Sequence, residues 1–114
     1  KAVPVKNHLD IIESKKYEGL CDMILFDTKT DLGTSGGAGI SFDWNLLNGY
    51  NSSFDWILAG GLNIDNVIKA IEITKAKFVD VSSGVEKSRG VKCIKKIKNF
   101  MKYIKNYEKK KNKL

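Results

Sequence analysis

The residues able to do chemistry stand at or just past the ends of three short apolar runs. Asp27 caps Met23-Ile24-Leu25-Phe26, Gly60-Gly61 follow Trp56-Ile57-Leu58-Ala59, and Asp80 stands near the end of Phe78-Val79-Asp80-Val81 with Ser82-Ser83-Gly84 just after it. A carboxylate beside an apolar strand is partly desolvated, which raises its pKa and lets it hold a proton nearer neutral pH. Asp27 is therefore a candidate general acid or base. Taken alone it reads equally well as a turn aspartate that bonds local amides through Asp27-Thr28. Glycines let backbone N–H groups come close to an anion, and a helix N-terminus adds favourable dipoles. Gly60-Gly61 or Ser82-Ser83-Gly84 alone reads best as a tight turn or a cap. Both together, after successive strands, point to a bound phosphate. Gly36-Gly37-Ala38-Gly39 is a third cluster, read as a mobile loop or a substrate lid. It is no P-loop, because no Gly-Lys-Ser/Thr ending follows it.

Other chemistries have little to work with. Cys21 and Cys93 lie far apart without a CxxC partner, and His8 is the single histidine. A metal centre or a disulfide framework is not expected, and a reducing cytoplasm is the expected compartment. The 114 residues, 42% hydrophobic and 29% charged, suit one small globular domain. No apolar run approaches the ~20 residues of a membrane span. The net charge of +7 is unevenly placed, with ten lysines from Lys92 to Lys113 and Arg89 the lone arginine. Phosphate and base recognition favours the arginine fork, and these lysines surround an apolar stripe. They read as a solvated helix face and not as a nucleic-acid surface.

These residues need elements to hold them. Val3 and Val5 mark a first strand, and Asn7 can cap a helix carrying Leu9, Ile12 and Tyr17 before Gly19. Asp22 to Asp27 reads as a strand buried on both faces. A polar, glycine-rich stretch from Thr28 to Ser41 precedes a short helix at Trp44 to Leu47, where Phe42 and Trp44 are packing residues. Trp56 to Ala59 is a third strand. Asn63 can cap a helix that buries Ile64, Val67, Ile68 and Ile71. Phe78 to Val81 is a fourth strand. The last helix carries Ile94, Ile97, Met101, Ile104 and Tyr107 on one face and frays after Glu108. Strand and helix thus alternate four times, which argues for an α/β fold with a parallel sheet. Four such units are half of a (β/α)8 TIM barrel, although an open doubly wound sheet fits the alternation as well. The chain opens on a strand without an initiator methionine, as if cut from something longer.

In combination the motifs resemble one family, the phosphoribosylanthranilate isomerases. Leu25-Phe26-Asp27-Thr28, Gly36-Gly37-Ala38-Gly39 and Phe42-Asp43-Trp44 are similar to that family's sixth strand and loop. Ile57 to Asn63 is similar to its seventh strand and loop, and Val79 to Glu86 to its eighth strand and phosphate loop. Gly90-Val91-Lys92 resembles the opening of its last helix. The resemblance implies that residues 1–114 are the C-terminal half of one barrel domain, strands five to eight, with 109–114 a lysine-rich tail. It implies an Amadori rearrangement in tryptophan biosynthesis that needs no metal and no organic cofactor, with Asp27 the general acid that protonates the furanose ring oxygen of phosphoribosylanthranilate. Gly60, Gly61, Asp80, Ser82, Ser83 and Gly84 would bind the phosphosugar, and Gly36, Gly37 and Gly39 would lie in a loop near it.

Two departures matter. The family's base is a first-strand cysteine in a Lys-Ile-Cys-Gly segment, which is absent here. The arginine expected to meet the anthranilate carboxylate is absent too. Ala38 and Ile64 also stand where the family often has threonine or serine and proline. The expected partner is the missing N-terminal half of the barrel, and the chain alone is expected to turn over negligibly. A different phosphate-binding barrel is disfavoured by Leu-Phe-Asp-Thr and Phe-Asp-Trp. A non-catalytic phosphosugar-binding half-barrel is the alternative.

Overall fold

Along its strands the chain alternates deeply buried aliphatic residues with less buried neighbours, the signature of a sheet with one covered face. The computed structural model describes residues 1–30, 39–50 and 52–112. Four strands, β1 (Ala2–Val5), β2 (Ile24–Thr28), β3 (Trp56–Leu58) and β4 (Phe78–Val79), form a parallel sheet in sequence order. The register aligns Val3 with Phe26, Phe26 with Leu58 and Leu58 with Val79 on one face. The other face aligns Ala2, Leu25, Ile57 and Phe78.

Among the described residues the covering elements lie on the first face. Helix α1 (His8–Ser14), the 3-10 turn Trp44–Leu47 and helix α2 (Val67–Thr74) supply Ile11, Leu47 and Ala70 to a core with Val5, Ile24, Phe26 and Leu58. Phe26, Tyr50 and Trp56 meet edge to face with ring centroids 5.6–5.7 Å apart. A 19-residue helix, α3 (Ile94–Asn112), docks Phe100 against Val67 and Val85 in a second cluster. Sequential strands with crossovers on one face are a singly wound sheet. A doubly wound sheet would have helices on both faces.

Several sequence expectations are corrected. β2 is not buried on both faces: Ile24, Phe26 and Thr28 are buried, whereas Leu25 and Asp27 are half-buried on the bare side. Asn7 caps α1 in a capping box with Asp10, but the helix buries Ile11 and Ser14 and leaves Leu9 and Ile12 57% and 51% exposed. α2 starts at Val67 with Asn66 as its cap, while Asn63 accepts from the amides of Asp65 and Asn66 in the preceding turn. Ile64 is left exposed. α3 likewise turns Phe100 inward and leaves Ile94, Ile97 and Met101 exposed, and it is helical to Asn112 and not frayed from Glu108. A two-stranded antiparallel hairpin, β5 (Glu86–Ser88) and β6 (Val91–Lys92), lies where the last helix was expected to open. The first and last helices thus carry exposed apolar side chains, whereas α2 itself carries none and only Ile64, in the turn before it, is exposed there.

Candidate functional site

The C-terminal ends of β2, β3 and β4 gather the expected residues. The Ala59 amide donates to the Phe26 carbonyl and the Asp80 amide to the Leu58 carbonyl, both at 2.8 Å, extending the ladder one step past β3 and β4. Both carboxylates therefore belong to the face without helices. Burial pushes the Asp27 carboxyl above its ordinary range, the Thr28 amide opposes that with a 2.7 Å hydrogen bond, and repulsion from Asp80 adds to it. The two readings of Asp27 are thus both present: it caps its own strand end, and it is a half-buried acid with a raised proton affinity.

Gly60 follows β3 with φ +97°, and a Cβ there would collide with Thr28 Oγ1 and lie 2.9 Å from Asp27 Oδ1. Glycine at this position is what lets the third loop close onto the acid. The Ser41 hydroxyl donates to the Gly60 carbonyl at 2.9 Å, and Asn66 Nδ2 donates to the Gly61 carbonyl at 2.9 Å. A peptide plane is rigid and trans, so these bonds also fix the N–H groups of Gly61 and Leu62, opposite the held carbonyls. Thr28 Oγ1 donates to the Ile40 carbonyl at 2.6 Å, tying the end of the β2 loop down beside them.

After Asp80 the chain turns through Ser82 into a 3-10 turn at Ser83–Val85. Gly84 packs on the β3 loop so closely that a Cβ would run into the Leu62 carbonyl and lie 3.0 Å from Asn63 Cα. Ser83 Oγ lies 3.7 Å from where a Cβ on Gly39 would stand, so the described end of the glycine-rich loop reaches the same place. Gly36 and Gly37 lie outside the described residues. A cavity of about 400 Å³ opens alongside, lined by Asn63, Ser83, Gly84, Lys96, Asn99 and Phe100. The arrangement offers fixed backbone donors on two adjoining loops, a hydroxyl, and one acid with a raised pKa: parts for holding an anion beside a proton donor.

Sequence reasoning passed over Lys92. Its ammonium donates to the Ser82 carbonyl and hydroxyl, both at 3.0 Å, and to Glu86 Oε2 at 2.8 Å. The signal was available as a glutamate and a lysine flanking a turn at Gly90, but it lay hidden among the lysines read as a solvated face. The cysteines contribute nothing to the cluster. Cys21 is at the opposite end of β2, its thiol facing the Tyr17 and Met23 carbonyls at 3.4 Å. Among the described residues no three His, Cys, Asp or Glu side chains are grouped as metal ligands, and no helix is long and apolar enough to cross a membrane.

Residues 1–103 match the family model for N-(5'-phosphoribosyl)anthranilate (PRA) isomerase. The N-(5'-phosphoribosyl)anthranilate isomerase of Zymomonas mobilis subsp. pomaceae is 44% identical over 104 residues, covering 91% of this chain and 49% of that protein. The crystal structure of phosphoribosyl anthranilate isomerase from Thermotoga maritima superposes with a TM-score of 0.75 at 42% identity, covering 93% of this chain and 50% of that one. A second isomerase structure holds reduced 1-(o-carboxyphenylamino)-1-deoxyribulose 5-phosphate; it has a TM-score of 0.72 and 38% identity, covering 93% and 47% of the two chains. The chain thus spans about half the length of the curated relatives it matches.

Proposed function

The chain belongs to the N-(5'-phosphoribosyl)anthranilate isomerase family, and on that premise we propose that it is the C-terminal half, strands five to eight, of the enzyme's (β/α)8 barrel. The whole protein then converts phosphoribosylanthranilate to the 1-(2-carboxyphenylamino)-1-deoxyribulose 5-phosphate isomer in cytoplasmic tryptophan biosynthesis.

The observation that carries the reading is Asp27. Burial and the Asp80 charge keep its proton on to higher pH than usual, on the bare face, against the Gly60 loop. An acid so placed can give its proton to the furanose ring oxygen and open the ring to a Schiff base. A base from outside the chain removes the C2′ proton, and the resulting enolamine tautomerises to product. The substrate phosphate is held by the amides fixed in the Gly60-Gly61 and Ser82-Ser83-Gly84 loops, with the Ser83 hydroxyl beside them. Asp80 lines the floor, and Gly39 lies against Ser83 at the phosphate end.

The same reading accounts for exposed apolar residues on the two terminal helices and on the bare face. Leu9 and Ile12 lie on the first helix, and Ile94, Ile97 and Met101 on the last. These are the helices that would meet neighbours from the other half when the sheet closes. Phe78, on the bare face, would then enter the barrel interior.

The isolated chain carries the acid and both phosphate loops, but among the described residues no cysteine stands at the C-terminal end of a strand of the parallel sheet: Cys21 precedes β2 and Cys93 follows the hairpin. Phosphosugar binding without turnover is therefore the expected behaviour of the 114 residues alone. The test is turnover of phosphoribosylanthranilate by this chain mixed with the first four βα units of a relative, with Asp27→Asn as control. Activity that needs both halves and is lost in Asp27→Asn is expected. No activity in any combination that folds, or full activity in Asp27→Asn, would contradict the proposal.

A further inference from the structure

The hairpin that the sequence did not announce sits behind the Ser82-Ser83-Gly84 loop, and its lysine reaches back into it. Glu86 on β5 pairs with Lys92 on β6, the chain turning at Gly90 with φ +80°. The Cys93 amide closes the end by donating to the Val85 carbonyl at 2.8 Å. From this base Lys92 Nζ spans Ser82 O, Ser82 Oγ and Glu86 Oε2. The Ser82 carbonyl also accepts from the Val85 amide at 3.2 Å, so it is gripped twice. Because the peptide is planar and trans, holding that carbonyl fixes the next N–H, that of Ser83, in the opposite direction. A cationic donor on the carbonyl also polarises the peptide and strengthens its N–H as a donor. Glu86 holds the ammonium in place, and its own carboxyl is drawn below the ordinary range chiefly by the hydrogen bond from Lys92.

We propose that Lys92, anchored on Glu86, is a positioning residue that sets the Ser82–Ser83 peptide so that the Ser83 amide is presented to a bound phosphate. This rests on the reading of the Ser82-Ser83-Gly84 loop as a phosphate site. It differs from a lysine that binds the anion itself: the cation works through a peptide, and a carboxylate beside it helps, where for direct binding it would repel the phosphate.

That difference gives a test with opposite signs. Inorganic phosphate is titrated into the ¹⁵N-labelled chain while the Ser83 and Gly84 amide shifts are followed, for the parent chain, Lys92→Met, Lys92→Arg and Glu86→Gln. The parent should show saturable shifts. Lys92→Met should bind about tenfold more weakly, the loss of one charge-assisted hydrogen bond. Lys92→Arg, still a donor to the carbonyl, should recover most of the affinity. Glu86→Gln should also bind more weakly, although it removes a negative charge. Tighter binding in Glu86→Gln, or unchanged binding in a folded Lys92→Met, would overturn the positioning role while leaving the phosphate site intact. If the parent itself gives no shifts at Ser83 and Gly84, the phosphate reading fails and the positioning role with it.

Discussion

The two faces of the one sheet are built to different standards. On the covered face Val5, Phe26 and Leu58 are 0% exposed and pack on α1, α2 and the Trp44–Leu47 turn. On the bare face Phe78 is 45% exposed, and Leu25 and Asp27 are only half-buried. A parallel sheet normally has both faces covered. The covered face holds the fold together within this chain, and the bare face carries the acid. On the proposed reading the second face is closed by residues this chain does not contain.

Changes to the covered face should therefore be felt in stability, and changes to the bare face in assembly and catalysis. The largest effect is expected for Phe26→Ala, about 3–5 kcal/mol from lost burial plus a cavity, read by urea unfolding. Phe78→Ala in the same assay should stay within about 0.5 kcal/mol. Comparable losses from the two would erase the distinction between the faces.

Asp27→Asn comes next. In the recombined enzyme it should lower turnover about 10²–10⁴-fold, as loss of a general acid does. In the chain alone it should not destabilise at neutral pH. The Asp27 pKa is raised in the fold by burial and by Asp80. Between its unfolded and folded values the native state therefore holds more protons, and stability falls as pH rises through that window. Asparagine removes this penalty, so any gain over the parent should appear at neutral pH and vanish in acid, below the ordinary aspartate range. Loss of stability at neutral pH would show instead that Asp27 is mainly a strand-end brace for the Thr28 amide.

Gly60→Ala stands at the seam between the faces and should cost about 1–3 kcal/mol, because φ is +97° and a Cβ would press on Thr28 and Asp27. It should also displace the acid, so kcat should fall even where the chain remains folded. The smallest effect is expected at the rim of the covered face. Asn7→Ala removes the cap of α1 and should cost about 1 kcal/mol, with no change in phosphate binding.

The same contrast explains what was legible in the sequence. The four strands of the parallel sheet, the Trp44–Leu47 turn and the Asn7 cap follow from short-range signals, and the strands lie within about two residues of their expected bounds. The helix faces were misread because each terminal helix carries two apolar stripes. On α1, Leu9 and Ile12 look as suitable for burial as Ile11, and on α3, Ile94, Ile97 and Met101 rival Phe100. Periodicity cannot say which stripe meets this half's sheet. The hairpin Glu86–Lys92 was missed because its strands are short and polar and its pairing is held by an ion pair, where a sequence reading looks for alternating apolar residues. At the site, Asp27 and the glycine loops could be found from their places after apolar runs. Their convergence depends on register, on close approaches at Gly60 and Gly84, on the Ser41 bond to a loop well along the chain, and on Asn66 and Lys92 bonding back to the loops before them.

The central claim is that the bare face and its flanking edges are the surfaces another half closes. Amide hydrogen exchange tests it most directly, comparing the outer strands β1 and β4 with the central strand β2, before and after the first four βα units of a relative are added. The expected result is slow exchange in β2 throughout, and edge amides in β1 and β4 that exchange fast in the monomeric chain and slow on addition. Edges already as protected as β2 in the monomer, or edges that stay fast when the other half is present at saturating concentration, would contradict it.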